Sequence, residues 1–326
     1  MENSNYQEIC SDLISDLNER QKEVVLRRFG LNGQDRETLE SIGDDFGICR
    51  ERIRQIEEVG LAKIKPKLSQ YEKIFQTFLK YFKEYGDLRR EEILLADLGE
   101  EKKNEVYFLL SLREPFQRSN QNKEYHSFWT VDQSSAKFAK KVINLLSDQL
   151  QKTGKPLRLE ELNLFTHLKK EALISYLEIS KKIQKSEEGL YGLKDWPEIN
   201  PRGIKDKAYL VLKKTGKPLH FTDIAKLIEG SHLPTVHNEL IKDSRFVLVG
   251  RGTYALAEWG YFPGEVKEVI FRILKEAKKP LKKEEILKKV LEQRLVKENT
   301  ILLNLSNKEY FQRDSLGRYR PKTEVI

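Results

Sequence analysis

Thr153-Gly-Lys-Pro-Leu157, Thr215-Gly-Lys-Pro-Leu219 and Ala277-Lys-Lys-Pro-Leu281 are three copies of one pentapeptide, each 62 residues after the last. A second signature keeps step with them. Tyr191-Gly-Leu-Lys-Asp-Trp196 is matched 63 residues later by Tyr254-Ala-Leu-Ala-Glu-Trp259, and Gly252-Thr-Tyr254 by Gly317-Arg-Tyr319. A fixed period of this size marks one small structural unit repeated along the chain. A degenerate earlier copy is read over 67–132, where Leu88-Arg-Arg-Glu-Glu-Ile93 parallels Leu157-Arg-Leu-Glu-Glu-Leu162 and Phe116-Gln-Arg118 parallels Phe311-Gln-Arg313. With Trp129 near the place of Trp196 and Trp259, all three tryptophans are expected to share one structural role.

The best-defined copy reads as three helices and a hairpin. A helix over 206–214 carries Ala208, Leu210, Val211 and Leu212 and stops at Gly216 and Pro218. Helices over 221–228 and from about Pro234 follow. The copy closes with Arg245-Phe-Val-Leu-Val249 and Thr253-Tyr-Ala-Leu256 around Gly250-Arg-Gly252. This is the winged-helix plan; the plainer alternative is a set of small α+β domains. Hairpins are expected at 183–193, 246–256, 311–320 and 116–129. The predicted fold is mainly α with small β-hairpins, an N-terminal helix-turn-helix domain followed by tandem winged-helix domains. The predicted divisions are 1–66, 67–132, 133–199, 200–262 and 263–326.

Upstream of the repeats, residues 12–66 read as short helices. Asn18 caps one that holds Val24, Val25, Leu26 and Phe29 and ends at Gly30. The next holds Leu39, Ile42 and Phe46. Gly47-Ile-Cys49 then makes a tight turn into Arg50-Glu-Arg-Ile-Arg-Gln-Ile-Glu57, which continues to about Lys65. Ile53, Ile56, Leu61 and Ile64 share one stripe, and Arg50, Glu51, Arg54, Gln55 and Glu58 the opposite one. Such a helix pair is a helix-turn-helix, and its exposed groups suit base edges: Arg donates to guanine, Gln both donates and accepts at adenine, Glu accepts from cytosine. The alternative is a solvated face on an ordinary helix.

Leu17-Asn-Glu-Arg-Gln-Lys-Glu-Val-Val-Leu-Arg-Arg-Phe-Gly-Leu31, Thr38-Leu-Glu-Ser-Ile-Gly43 and Arg50–Glu57 closely resemble region 4 of primary bacterial sigma factors. The resemblance implies that Arg50, Glu51 and Gln55 read bases of the upstream promoter element and that Arg52 and Arg54 face the phosphate backbone. It also implies that the apolar outer surface docks on the flap of the RNA polymerase β subunit. Cys49 stands where the family has Thr or Ser, which implies a weaker helix cap. The family's other regions precede region 4, and 16 residues precede Leu17, so a complete sigma factor is not expected.

Residues 204–260 resemble a HARE-type helix-turn-helix, the winged-helix family that includes the polymerase delta subunit. The carriers are Gly216-Lys-Pro-Leu-His220, Phe221-Thr-Asp-Ile224, Arg245-Phe246 and Gly250-Arg-Gly-Thr-Tyr-Ala-Leu-Ala-Glu-Trp259. Delta-type proteins end in an acidic tail; this chain ends Lys322-Thr-Glu-Val-Ile326, so a delta-like role is not expected. Arg251 and Arg318, at the wing turns, are candidate backbone contacts, or in the case of Arg251 simply a turn residue between glycines.

Composition bounds the rest. The 326 residues carry a net charge of +8, unevenly. Residues 1–66 hold 10 Lys and Arg against 14 Asp and Glu, and the remainder 49 against 37. A basic body points to an anionic partner such as nucleic acid, or to a lysine-rich surface that serves solubility. Cys10 and Cys49 lack metal spacing and do not pair with the five histidines in any ligand motif, so no metal or other cofactor is expected. His220 is read as a helix cap or packing residue. The acidic pairs Glu91-Glu92, Glu160-Glu161 and Glu284-Glu285 recur at one place in the repeat, which marks them as surface residues of a helix start, not an acid–base pair. No enzyme is expected. The absence of a leader or an apolar run implies a cytoplasmic protein without a membrane role. The expected partners are double-stranded DNA and core RNA polymerase. The function read from this is a sequence-specific transcription protein. The alternatives are a protein-interaction scaffold and the DNA-recognition component of a restriction or defence system.

Overall fold

The computed structural model describes residues 5–322; residues 323–326, the end of the stretch read for a tail, lie outside them. The chain forms two compact units, 1–194 and 195–326.

The first unit begins with α1 (Tyr6–Leu13), α2 (Glu19–Phe29), α3 (Leu39–Phe46) and α4 (Arg50–Ile64). Asn18 and Thr38 cap α2 and α3 through their side chains, and Gly30 and Gly47 end them in left-handed conformation, as the sequence requires. A 3-10 helix, Lys65–Tyr71, leads to α5 (Glu72–Glu84), β1 (Leu88–Arg90), α6 (Glu91–Gly99), α7 (Lys103–Leu112), β2 (Gln117–Ser119) and β3 (Phe128–Thr130). The next series is α8 (Gln133–Thr153), α9 (Leu159–Asn163), α10 (Lys170–Ile179), β4 (Ile183–Lys185) and β5 (Tyr191–Leu193).

The second unit holds α11 (Gly203–Thr215), β6 (Leu219–His220), α12 (Phe221–Leu227), α13 (Leu233–Lys242), β7 (Phe246–Gly250) and β8 (Thr253–Leu256). It ends with α14 (Val266–Ala277), α15 (Lys283–Gln293), α16 (Glu298–Leu305), β9 (Phe311–Arg313) and β10 (Tyr319–Pro321).

The chain is thus mainly helical with small antiparallel sheets, a helix-turn-helix followed by tandem series in winged-helix order. The sheets run β1-β3-β2 and β6-β8-β7, so the first strand of each series pairs with the last. In the other two series that strand is reduced to one bridge. The repeat explains why. Leu157 pairs with Tyr191, Leu219 with Tyr254, and Leu281 with Tyr319, so the leucine of each pentapeptide meets the tyrosine of its own copy. The hairpins fall where the sequence places them, at 183–193 and 246–256 to the residue and at 311–321 and 117–130 with ends moved by one.

The tryptophans depart from expectation. In the first series Leu88 pairs with Thr130, so Thr130 takes the tyrosine's place and Trp129 lies one residue before it, inside β3. Trp129 is buried and its indole N–H donates to Glu91 at 2.9 Å. Trp196 and Trp259 instead follow the last strand and are half-buried. The same contact corrects a second expectation: Glu91 is a buried residue held by Trp129 and Arg118, not a surface one.

One hydrophobic core crosses residue 66. Cys10, Leu13, Ile14, Leu17, Val25, Phe29 and Ile64 pack with Phe75, Phe78, Phe82, Phe108 and Trp129. Asn104 of α7 also ties down the loop after α2, donating to the carbonyls of Gly30 at 3.1 Å and Gln34 at 3.2 Å. The helix-turn-helix is therefore mounted on the series that follows it.

Candidate nucleic-acid interface

The turn Gly47-Ile-Cys49 sets α4 across α3, and Val24, Ile42 and Ile53 close a small core beneath it, flanked by Leu39, Phe46, Ile48 and Ile56. Ile53 and Ile64 are fully buried; Ile56 and Leu61 are half-buried. The approach of the two helices needs a glycine at position 43. A Cβ there would stand 2.6 Å from the carbonyl oxygen of Ile48. Arg27 braces the pair from behind, with a two-pronged contact to Glu37 at 2.8 and 2.7 Å and an ion pair to Asp45.

On the outer face Arg50, Glu51, Arg52, Arg54 and Gln55 are all exposed. Arg54 grips Glu51 with two hydrogen bonds, at 3.0 and 2.6 Å, and also pairs with Glu58. The Arg54 hydrogen bond holds the Glu51 carboxyl below the usual carboxylate range. Arg52 donates to Gln55 Oε1 at 3.0 Å. Arg50 makes no hydrogen bond among the described residues, so its donors stand open at the helix end that enters a major groove in helix-turn-helix proteins. The other groups pair only with neighbours one turn away. Such exposed pairs are screened by water, contribute little and exchange readily for a ligand.

Cys49 caps α4 without a side-chain hydrogen bond, as its chemistry implies. Cys49→Ser should supply the missing acceptor and stabilise the unit by about 1 kcal/mol, seen as a higher urea midpoint with unchanged slope.

The wings differ from one another. Arg251 sits exposed at the tip of the β7–β8 turn, its side chain without a hydrogen bond among the described residues. Gly252 is left-handed and packs so closely on His220 that a Cβ would lie 2.4 Å from Nε2. His220 caps α12, its ring accepting from the N–H of Thr222 at 3.4 Å. Arg318 is drawn back onto Asp314 at 2.8 Å, and Asp314 also accepts from the N–H groups of Leu316 and Arg318.

The third helix of a winged helix is its usual reading element, and the two units treat it differently. In the first unit α7 is buried against α1 and α2, with the rings of Phe108 and Phe29 4.9 Å apart. α10 is buried against β1: Ser175 donates to the Leu88 carbonyl at 2.6 Å, Tyr176 to that of Gly86 at 3.2 Å, and Glu178 pairs with Arg89. In the second unit α13 and α16 keep an exposed face, with Ile241 62% and Leu303 74% accessible. α4 is thus the one open helix of this kind among the described residues of the first unit.

A cleft of about 360 Å³ that sequence reasoning missed is lined by Arg36, Arg90, Lys103, Asn104, Gln121 and His126. Its residues come from four separate stretches of chain, which no local pattern connects. Among the described residues no group of His, Cys, Asp and Glu side chains could hold a metal ion, and no helix is long and apolar enough to cross a membrane.

Comparison with known proteins falls on the same segment. Residues 13–65 match the family model of Sigma-70, region 4. The chain is similar to RNA polymerase sigma factor SigA of Bacillus sp, 45% identical over 58 residues, which are 18% of this chain and 15% of that protein. It is similar to RpoD of Helicobacter pylori (strain ATCC 700392 / 26695), 39% identical over 69 residues, 21% of this chain and 10% of the relative. It is also similar to RpoS of Coxiella burnetii, 37% identical over 65 residues, 20% of this chain and 18% of the relative. The chain spans less than a fifth of the length of these curated relatives. The likeness is that of one helix-turn-helix segment.

Proposed function

We propose that this chain is a non-enzymatic, DNA-binding transcription protein that reads promoter-like duplex DNA with Arg50, Glu51 and Gln55 of α4. Arg52 and Arg54, with Arg251 and Arg318 at the wings, serve the phosphate backbone. The observation that carries the reading is the exposed row at the start of α4, seated on a closed apolar core in the segment that matches region 4. We further read the chain as five modules bounded near 66, 132, 199 and 262. The one at 200–262 is HARE-type, on the strength of its sheet order and its repeated signature, and the setting is cytoplasmic. Contact with core RNA polymerase belongs to the same proposal, since the relatives are polymerase sigma factors by name. That contact is read as one with the flap of the β subunit. The buried α7 and α10 favour a second role for the modules of the first unit, as a mount that holds the reading helix.

The test is binding of the full chain to a selected duplex and to a scrambled one. Arg50→Ala and Gln55→Ala should each cost about 1–3 kcal/mol on the selected site and relax discrimination at one base pair. Arg52→Ala should weaken both duplexes alike. Unchanged affinity and discrimination in folded Arg50→Ala and Gln55→Ala variants would overturn the base-reading role.

A further inference from the structure

Residues 195–326 carry 26 Lys and Arg against 18 Asp and Glu, whereas residues 1–194 carry 33 of each. The whole net charge of +8 therefore resides in the second unit. It does not lie on the third helices: α13 carries Lys242 alone and α16 no Lys or Arg at all. The last wing adds exposed Arg313, Arg320 and Lys322, while its Arg318 rests on Asp314 and must leave it to meet a phosphate. The densest run of lysines lies instead at the turn between the first helix of a series and its first strand, with Glu276, Glu284 and Glu285 beside it in the last series. Lys214 and Lys217 flank that turn after α11; Lys275, Lys278, Lys279, Lys282 and Lys283 crowd it after α14. All are exposed, and none forms an ion pair among the described residues.

The backbone of the turn adds a separate observation. The equivalent residue is Gly154 after α8, with φ 63°, and Gly216 after α11, with φ 65°. After α14 it is Lys278, with φ 52°. A left-handed conformation suits glycine and strains a residue that has a Cβ. The last copy thus has a left-handed lysine where the two copies before it have glycine, as the first series has a left-handed Asp87, φ 65°, in its own turn; what the last copy gains is one more ammonium group in a lysine-rich turn. Strain retained at one position of a repeat is a mark of function at that position.

We propose that the α14–α15 turn, centred on Lys278 with Lys279, Lys282 and Lys283, is a phosphate-contact site for duplex DNA. It grips the backbone without regard to sequence and leaves base reading to α4. The proposal rests on the reading that the chain binds DNA. Lysine suits such a contact, because a mobile point charge neutralises phosphate oxygens and makes no bidentate demand on base edges. Each phosphate neutralised releases counterions, so the site should show in the salt dependence of binding.

The experiment measures binding of the full chain to the selected and the scrambled duplex over a range of salt, with thermal melts. Lys278→Gly should raise the melting temperature, because glycine relieves the left-handed strain, and should weaken binding to both duplexes alike. The two effects have opposite signs, so lost folding cannot mimic the result. The triple variant Lys278→Gly, Lys279→Gln, Lys283→Gln should lower the log–log salt slope by about 2–3 while discrimination between duplexes persists. Arg50→Ala should do the reverse, keeping most of the slope and losing discrimination. If the triple variant keeps the full slope while Arg50→Ala loses discrimination, the turn is no DNA contact and the base-reading role stands. A slope preserved in this way would fit an acidic protein as the partner of the turn and equally overturns the proposal. A Lys278→Gly chain that melts lower would remove the strain argument and overturn it too. A full chain that binds neither duplex at low salt would overturn both readings together.

Discussion

Arg89→Ala should lower the stability of the first unit by about 3 kcal/mol, the low end of what removing one partner of a buried ion pair costs. Arg89 is only 6% exposed and holds several groups at once. It pairs with Glu178 of α10 and with Asp97 of α6 at 3.2 Å, its Nε donates to the Tyr81 hydroxyl at 3.1 Å, and its guanidinium lies 4.1 Å from the centre of the Tyr85 ring. Truncation leaves the Glu178 carboxyl without its counter-charge in a place where burial already pushes its pKa up, so that carboxyl should hold its proton to higher pH than in the native chain. The low end applies because Asp97 and Glu178 keep side-chain exposures of 37% and 25%, and water screens part of the loss. Urea unfolding checks the size of the effect, and hydrogen exchange checks its place. The amides of α10 and β1 should lose protection first, because Arg89 is the charged link between them. A loss below 1 kcal/mol, or protection lost elsewhere first, would show that the Ser175 and Tyr176 contacts hold α10 alone.

Ile53→Ala should cost about 2–5 kcal/mol, the range for emptying an aliphatic side chain from a closed core. Ile53 is 0% exposed and lies with Val24 and Ile42 in a cluster too small to refill the space. Gln55 stands on the opposite side of α4, and Arg50, one turn before Ile53, is exposed; both lie outside that cluster. The comparison between the faces is therefore decisive. Ile53→Ala should lower the melting temperature and weaken DNA binding only as far as folding is lost, and excess selected duplex should restore part of the stability by mass action. Arg50→Ala should leave the melt unchanged. If both variants shift the melt alike, the two faces of α4 are not independent, and the outer row has a structural role.

Much of this was legible because it is local. The cap at Asn18, the stops at Gly30 and Gly216, the turn at Gly47 and the two faces of α4 follow from neighbours three or four residues apart. The repeat was legible for a less local reason. The leucine of each pentapeptide and the tyrosine of each second signature are partners across a sheet, and preserving the pair preserves their spacing along the chain. Trp129 misled the reading because tryptophan is conspicuous in sequence while its role depends on strand register, and a shift of one residue changes which face of a strand a side chain takes.

The sequence by itself therefore determined the helix-turn-helix, the order of helices and hairpins in the repeats, and the identity of the row Arg50, Glu51 and Gln55. Only the tertiary structure decided which of these elements face solvent. The apolar positions of α7 and α10 have the same pattern whether they pack within their own series or against the preceding one, because amphipathicity reports that a face is buried and not what buries it. Phe29 and Phe108, or Leu88 and Ser175, are many residues apart, and their contact follows from how whole elements stack. The same holds for Lys278. Its charge is written in the sequence, but the left-handed backbone that makes a lysine costly there exists only once α14 ends and the chain turns toward β10.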